Sequence, residues 1–274
     1  MTSRRSRRRS PQRAFTLLEL VVVITIIAAL AGLVISQVGM LGRSTDMAAT
    51  AKNQADVANN LQLFFVLQRR YPQGMDSLLV STGAGVAPTG VYVPVDDPVT
   101  GDQIAGLPDS GPHLDRDLAI GTLTAGQRRS LTRLGLDFVY DHDTTTIGLN
   151  SNNSGVYQRV LDSSDPNMAV ALVVEGSDAA IRALPATQGV YPTGTTLVAV
   201  GVGPSSSCIP KTMLNAPIYP GNDGSYYGRY VAIFQVYESG ERANLVGVCD
   251  SYGRFPDYTI QQFNESLPNG ARRG

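Results

Sequence analysis

"RRRSPQRAFTLLELVVVITIIAALAGLVISQVG", Arg7 to Gly39, decides how this chain is read. Arginines run straight into a hydrocarbon-like segment, and one carboxylate, Glu19, sits near its start. From Leu20 to Val38 no residue is charged, a run of 19. A helix needs roughly 20 apolar residues to cross a bilayer, so residues 15–38 read as a membrane-spanning helix. Arginines on its N-terminal side keep that end in the cytoplasm and send the remainder across. A secretory signal has a shorter apolar core with a small-residue cleavage site behind it. Here the small-residue stretch "AALAG" at 28–32 lies inside the run.

Outward from this segment the composition is ordinary. The chain has 274 residues, room for one large domain or two small ones. Its 28 Gly and 16 Pro point to a loop-rich body. Net charge is −1 but uneven: six arginines (Arg4, Arg5, Arg7, Arg8, Arg9, Arg13) precede Ala14. Without residues 1–14 the basic count falls from 22 to 16 against 23 acids, which leaves −7. A basic tip on an acidic body argues against broad nucleic-acid binding by the body, and no nucleic-acid partner is expected.

The run Ala14-Phe15-Thr16-Leu17-Leu18-Glu19, behind a short arginine-rich leader and ahead of a long apolar stretch, resembles the prepilin signal of type IV pilins and type II secretion pseudopilins. The resemblance covers about the first 40 residues; Ala14 stands where that family usually has Gly. It implies that a membrane-bound prepilin peptidase cuts between Ala14 and Phe15 and methylates the new N-terminus at Phe15, leaving 260 residues. It also implies that Glu19 pairs with the N-terminal amine of a neighbouring subunit during assembly. Physically, Phe15 and Glu19 are four apart and share a helix face. A charge costs about 2.5–3.5 kcal/mol at mid-bilayer and less near the interface, and an acid near a helix N-terminus complements its positive end. A plain interfacial acid on a simple anchor is the alternative for Glu19 taken alone.

Arg43 to Arg70 contains no Gly or Pro, and Ala51, Ala55, Ala58, Leu61 and Phe65 recur at spacings of three and four. Tyr71-Pro72 ends the pattern, since a residue before proline avoids the α region. One helix over 15–70 is therefore expected, about 84 Å at 1.5 Å per residue. "LQLFFVLQRRYPQGMDSLL", Leu61 to Leu79, resembles the helix end and following turn of type II secretion pseudopilins. Residues 80–112 read as a surface loop with a short strand at Val91–Val95. Thr124 to Leu136 reads as a helix, with Thr124 and Gln127 as a capping box and Gly135 to close it. Strand-like runs follow at 137–140, 156–161, 168–174, 196–203, 229–238 and 243–249, with a short helix at Ser177–Leu184. The fold class is α+β and pilin-like: a cytoplasmic leader at 1–14, the long helix at 15–70, and a head at 71–274 with a mostly antiparallel sheet against the helix.

Cys208 and Cys249 are the only cysteines. In an exported head they most simply form a disulfide, closing about 41 residues for roughly 4 kcal/mol; two buried free thiols are the alternative. Chemistry-bearing motifs are sparse. The two histidines are His113 and His142, and no His-Glu-x-x-His, Gly-x-Ser-x-Gly or Gly-Lys-Ser/Thr loop occurs. His142 between Asp141 and Asp143 reads as a solvated turn rather than a metal corner. Asp96, Asp97 and Asp102 are oxygen ligands in principle for calcium, but no ligand pattern is recognisable, so no metal or other cofactor is expected.

These readings point to a structural subunit of a type II secretion pseudopilus or related type IV pilin-like filament, and not to an enzyme. Its expected partners are copies of itself or other pilin-like subunits, the prepilin peptidase, an inner-membrane assembly platform and the lipid bilayer. The expected location is the bacterial inner membrane, single-pass, with the N-terminus cytoplasmic and the head in the periplasm. A filament subunit whose head binds DNA or a surface is the second reading; Arg128-Arg129 with Arg133 would supply a local basic patch. A membrane-anchored enzyme is the third.

Overall fold

The structure, a computed structural model, describes residues 17–81, 90–91, 114–143, 156–161, 169–219 and 228–266. Contacts divide the chain into two compact units, Met1–Thr45 and Asp46–Gly274. Helix α1, Leu17–Gln68, passes from the first unit into the second. In the first unit it is the sole described element. The expected helix over 15–70 is therefore seen from Leu17 and ends two residues early. Arg69 turns into the left-handed region at φ 59° while its amide still donates to the Phe65 carbonyl at 2.8 Å. Pro72 lies just beyond.

In the second unit α1 buries Thr50, Gln54, Val57, Leu61 and Phe64. The spacing of three and four makes one stripe, and that stripe lies on a sheet of nine strands. These are β1 Met75–Ser81, β2 Gly90–Val91, β3 Leu118–Thr122, β4 Phe138–Asp143, β5 Val156–Val160, β6 Ala169–Val173, β7 Thr195–Gly201, β8 Val231–Tyr237 and β9 Asn244–Cys249. All pairings are antiparallel except β1 with β4. The architecture is α+β, with a long N-terminal helix and a mostly antiparallel sheet.

Strand β7 organises the sheet. It pairs along its whole length with β8 on one side. Its other side is shared: Val198 and Ala199 pair with β6, while Gly201 pairs with Asp76 of β1. The sheet forks there. A bulge between Asp76 and Val80, with Leu78 at φ 60°, bends β1 at that point. Inside the fork, Ser77 Oγ donates to Asp141 Oδ1 at 2.5 Å and accepts from the Leu79 amide at 3.0 Å. These bonds satisfy polar groups that would cost free energy if buried unpaired. The cavity beside them, lined by Ser77, Leu131, Val139, Val170, Val198 and Val200, measures about 10 Å³. That is about one water's worth of room and too small for a ligand.

Period-two alternation sends alternate residues of β8 to opposite faces. Ala232, Phe234 and Val236 join α1 and helix α2 (Ala125–Leu134) in one core, with Tyr71, Met75, Leu131, Leu134 and Tyr230. Val231 and Ile233 join helix α3 (Asp178–Ala183) in a second core on the other face, with Leu118, Ala171 and Leu197. The capping residues of α2 act as the sequence indicates. Thr124 Oγ1 accepts from the Gln127 amide at 3.2 Å, Gln127 Oε1 accepts from the Thr124 amide at 2.9 Å, and Gly135 closes the helix at φ 90°. Ser177 caps α3 through the Ala180 amide.

Several expectations need correction. The strand expected at 137–140 runs on through Asp143, so His142 sits in β4 and not in a turn. The segment ending at Leu79, read as a turn, is mostly strand: β1 occupies Met75–Ser81. Of the strand expected at Val91–Val95, Gly90–Val91 is seen and the rest lies outside the described residues. Strand β3 and the C-terminal helix α4, Pro256–Ser266, were not foreseen.

Candidate functional site

The apolar start of α1 is the candidate site. Leu17, Leu18, Leu20, Val21, Val22, Val23, Ile24, Ile26, Ile27 and Leu30 are all about half exposed or more, Leu17 at 81%. That much branched apolar surface toward water costs roughly 25 cal/mol per Å² and calls for a cover, whether lipid or protein. Glu19 stands in the first turn, where the free amides of the helix end favour a negative charge. Thr25 returns its hydroxyl to the Val21 carbonyl at 2.8 Å and adds no polarity to the surface. Among the residues with described side chains, no helix is long and apolar enough to cross a membrane. The described apolar stretch stops at Gly32, whereas the uncharged run of the sequence continues to Val38. Ala14 and Phe15 lie outside the described residues, as do His113, Asp96, Asp97 and Asp102.

The two cysteines do not form the expected disulfide: both are free and buried. Cys249 opposes Val231 in register and points into the α3-side core. Cys208 lies in the α1-side core, where its Sγ meets Ser206 Oγ at 3.2 Å and Met213 Sδ at 3.8 Å. The sheet stands between the two thiols, and no bond of about 2 Å reaches across it. Burial pushes both thiols up, Cys249 furthest, so neither is a ready nucleophile.

Of the basic patch at Arg128, Arg129 and Arg133, Arg129 and Arg133 are exposed four residues apart on α2, and Arg128 is withdrawn from it. Arg128 is buried and donates to the Leu123 carbonyl at 3.3 Å, and Arg133 donates to the Gly240 carbonyl at 2.7 Å. Asp141, beside His142, is a buried acceptor for Ser77 and not part of an exposed acid–base pair. Among the described residues no group of three or more His, Cys, Asp or Glu gathers as a metal site.

A polar cluster that sequence reasoning missed ties the head to α1. Asp250, fully buried, accepts from the amides of Tyr252 and Arg254 at 3.0 and 2.9 Å and from Arg254 Nε at 2.8 Å. The Arg254 guanidinium lies 4.6 Å from the Tyr252 ring centre and donates to the Tyr219 hydroxyl at 2.5 Å. Burial pushes the Asp250 carboxyl up, and Arg254 offsets part of that. Thr259 of α4 donates to Gln54 of α1 at 3.4 Å, and Gln54 donates to the Arg254 carbonyl at 2.5 Å. Sequence held one clue, the acid and arginine four apart around Gly253 in "DSYGR". With every group engaged, the cluster positions elements and offers nothing to a substrate.

Comparison with known proteins agrees with the placement of the site. Residues 9–35 match the prokaryotic N-terminal methylation motif, the prepilin-type signal of type IV pilins and pseudopilins. The motif belongs to a structural rather than an enzymatic family and supports a pilin-like subunit processed by prepilin peptidase. No curated protein and no solved structure matches the chain.

Proposed function

We propose that the chain is a structural subunit of a type II secretion pseudopilus or a closely related pilin-like filament. In this reading the precursor enters the inner membrane with its arginines in the cytoplasm, and the head faces the periplasm. Prepilin peptidase cleaves between Ala14 and Phe15 and methylates Phe15. The processed chain then joins other pilin-like subunits at an inner-membrane assembly platform, with Glu19 pairing to a neighbour's N-terminal amine. The observation that carries the reading is one continuity. A methylation motif at 9–35 opens directly into a helix whose first turns are apolar and uncovered, and whose later turns are packed into a folded head. A simple anchor needs no such continuation of its helix into the head. A subunit that must deliver its apolar end to a neighbour does.

The test is mass spectrometry of the protein extracted from membranes of cells that carry a prepilin peptidase. The expected product begins at N-methylated Phe15. A chain that begins at Met1, or at a site beyond Gly32, overturns the proposal.

A further inference from the structure

The last two turns of α1 leave apolar side chains uncovered within the head. Leu63, Val66 and Leu67 are 47%, 62% and 61% exposed. They stand three and four apart, on the face away from the buried stripe of Val57, Leu61 and Phe64. Cations border them. Arg69 and Arg70 follow directly, and Arg129, Arg133 and Arg242 join them from α2 and the β8–β9 turn; all five are exposed. Contacts fix this neighbourhood. A Cβ at Gly135, where α2 ends, would lie 2.4 Å from that of Arg70, and one at Gly240 would lie 3.5 Å from that of Arg129. Arg133 donates to the Gly240 carbonyl, and the Arg242 guanidinium rests 5.3 Å from the Phe65 ring centre. On the other flank of the helix the exposed Lys211 ammonium lies 5.5 Å from the Phe64 ring centre. Among the described residues none of these six cations forms an ion pair. Three acids, Glu238, Glu241 and Asp137, are exposed nearby.

We propose that this surface docks on an anionic phospholipid bilayer. It is a second lipid contact, made by the head and apart from the apolar start of α1. Guanidinium groups match phosphate oxygens in pairs, and the aliphatic side chains beside them reach the hydrocarbon below the headgroups. Basic and aliphatic groups side by side are what an interfacial segment uses. A nucleic-acid strand is a poorer match. Its bases stack on open aromatic faces, whereas Phe65 is half-buried and covered by Arg242. The three acids also oppose a strand, whose phosphates stand in a fixed row. Lipids diffuse, so their phosphates gather under the cations and leave the acids. Beyond residue 14 the chain carries −7. An anionic bilayer therefore repels most of the head, and the patch sets which way the head faces. The contact does not depend on the filament reading, since it serves an anchored monomer equally.

The test uses the full chain reconstituted in neutral phosphatidylcholine vesicles, with capture of added fluorescent vesicles as the readout. Vesicles with about one-third phosphatidylglycerol should be captured, and vesicles of phosphatidylcholine alone should not. Arg129→Glu with Arg242→Glu should lower capture about tenfold or more, since each cation at an anionic surface counts about fivefold. Arg129→Lys with Arg242→Lys should retain most of it. Val66→Asn with Leu67→Asn should also lower capture, by removing what enters the bilayer. Lys52→Glu, exposed on α1 eleven residues before Leu63, should leave it unchanged. Raising salt from about 0.1 to about 1 M should weaken it. Thermal unfolding checks that each variant folds, and alanine replaces glutamate or asparagine where one does not. Equal capture of both vesicle types, capture unchanged by either patch variant, or an equal loss with Lys52→Glu overturns the proposal. So does a chain that binds a labelled DNA strand through the same arginines and captures no vesicle. Processing at Phe15 is read by mass on the same preparation, so failure of capture leaves the filament reading standing.

Discussion

Gln54, midway along the head's share of α1, donates from Nε2 to the backbone carbonyl of Arg254 at 2.5 Å, across 200 residues of sequence. The carbonyl belongs to the same residue whose guanidinium is held by Asp250 at 2.8 Å. The long helix is thus fastened to the head through a buried ion pair, and not by its apolar stripe alone.

Asp250→Ala should destabilise the head by about 3–5 kcal/mol, because it leaves the mostly buried Arg254 cation without its carboxylate. Replacing both, Asp250→Ala with Arg254→Met, should recover part of the loss. Urea unfolding of each variant measures both effects. A single-variant loss below 1 kcal/mol would mean that water reaches the pair.

Tyr230 is fully buried, and its hydroxyl lies against Asn53 and Thr50 without a well-formed hydrogen bond to a described residue. Tyr230→Phe should stay within about 1 kcal/mol of wild type at neutral pH. Burial pushes the hydroxyl up to about 12, above its ordinary 10. In the unfolded chain it ionises first, so its contribution is complete below pH 10 and is lost as pH rises toward 12. The loss reaches at most about 2–3 kcal/mol. Stability of Tyr230→Phe should therefore fall less steeply than wild type between pH 10 and 12; parallel profiles would refute this.

Gly126 lets α2 approach β8: a Cβ there would lie 1.8 Å from the Glu238 carbonyl oxygen. Backbone cannot swing aside as a side-chain tip does, so Gly126→Ala should cost more than 2 kcal/mol, within the range of about 1–3 for overpacking or beyond it. At Gly32 a Cβ meets nothing within 4 Å. Gly32→Ala should leave head unfolding unchanged while favouring its helix by about 1 kcal/mol. Circular dichroism with thermal melts separates the two.

Both thiols should resist maleimide in the folded head and react once it is denatured, without reductant in either case. Adding reductant should leave the melting temperature unchanged, since no disulfide exists to break. Quantitative labelling followed by intact mass checks this; a two-dalton deficit before reduction would contradict it.

Glu19→Val should preserve insertion, since it makes the segment more apolar, and impair polymerisation by leaving a neighbour's amine without its acid. Cross-linked ladders compared at equal protein levels measure it, and equal ladders would reduce Glu19 to an interfacial acid.

What was legible in the sequence was local. Thr124, Gln127 and Gly135 mark α2 because a cap is made by residues within one turn of each other. Val-, Ile- and Tyr-rich runs mark β7 and β8 because those strands are buried on both faces. Strand β1, "MDSLLVS", escaped since Asp76 and Ser77 are poor strand residues whose partners come from elsewhere in the fold. Asp141 serves Ser77, and Gly203 leaves room for Asp76, whose carboxylate would sit 2.1 Å from a Cβ there. Pro256 at the first position of α4 was a helix-start signal passed over. The disulfide failed because two cysteines can be counted in a sequence, but the sheet face each occupies is set by register. The cleavage and methylation motif was readable in full, being a linear signal.

The place of β7 at the fork has a bearing on the order of folding. Strand β1 leaves the ribosome early, yet its neighbour β7 begins at Thr195 and the central β8 ends at Tyr237. Between Met75 and Tyr237 synthesis at about 5–20 residues per second takes about 8–30 s. Through that interval the stripe of α1 has no finished sheet to lie on. The nascent chain therefore spends its vulnerable time as an apolar helix awaiting a surface made from its last third, and a premature stop before β8 should yield aggregate rather than a smaller folded head.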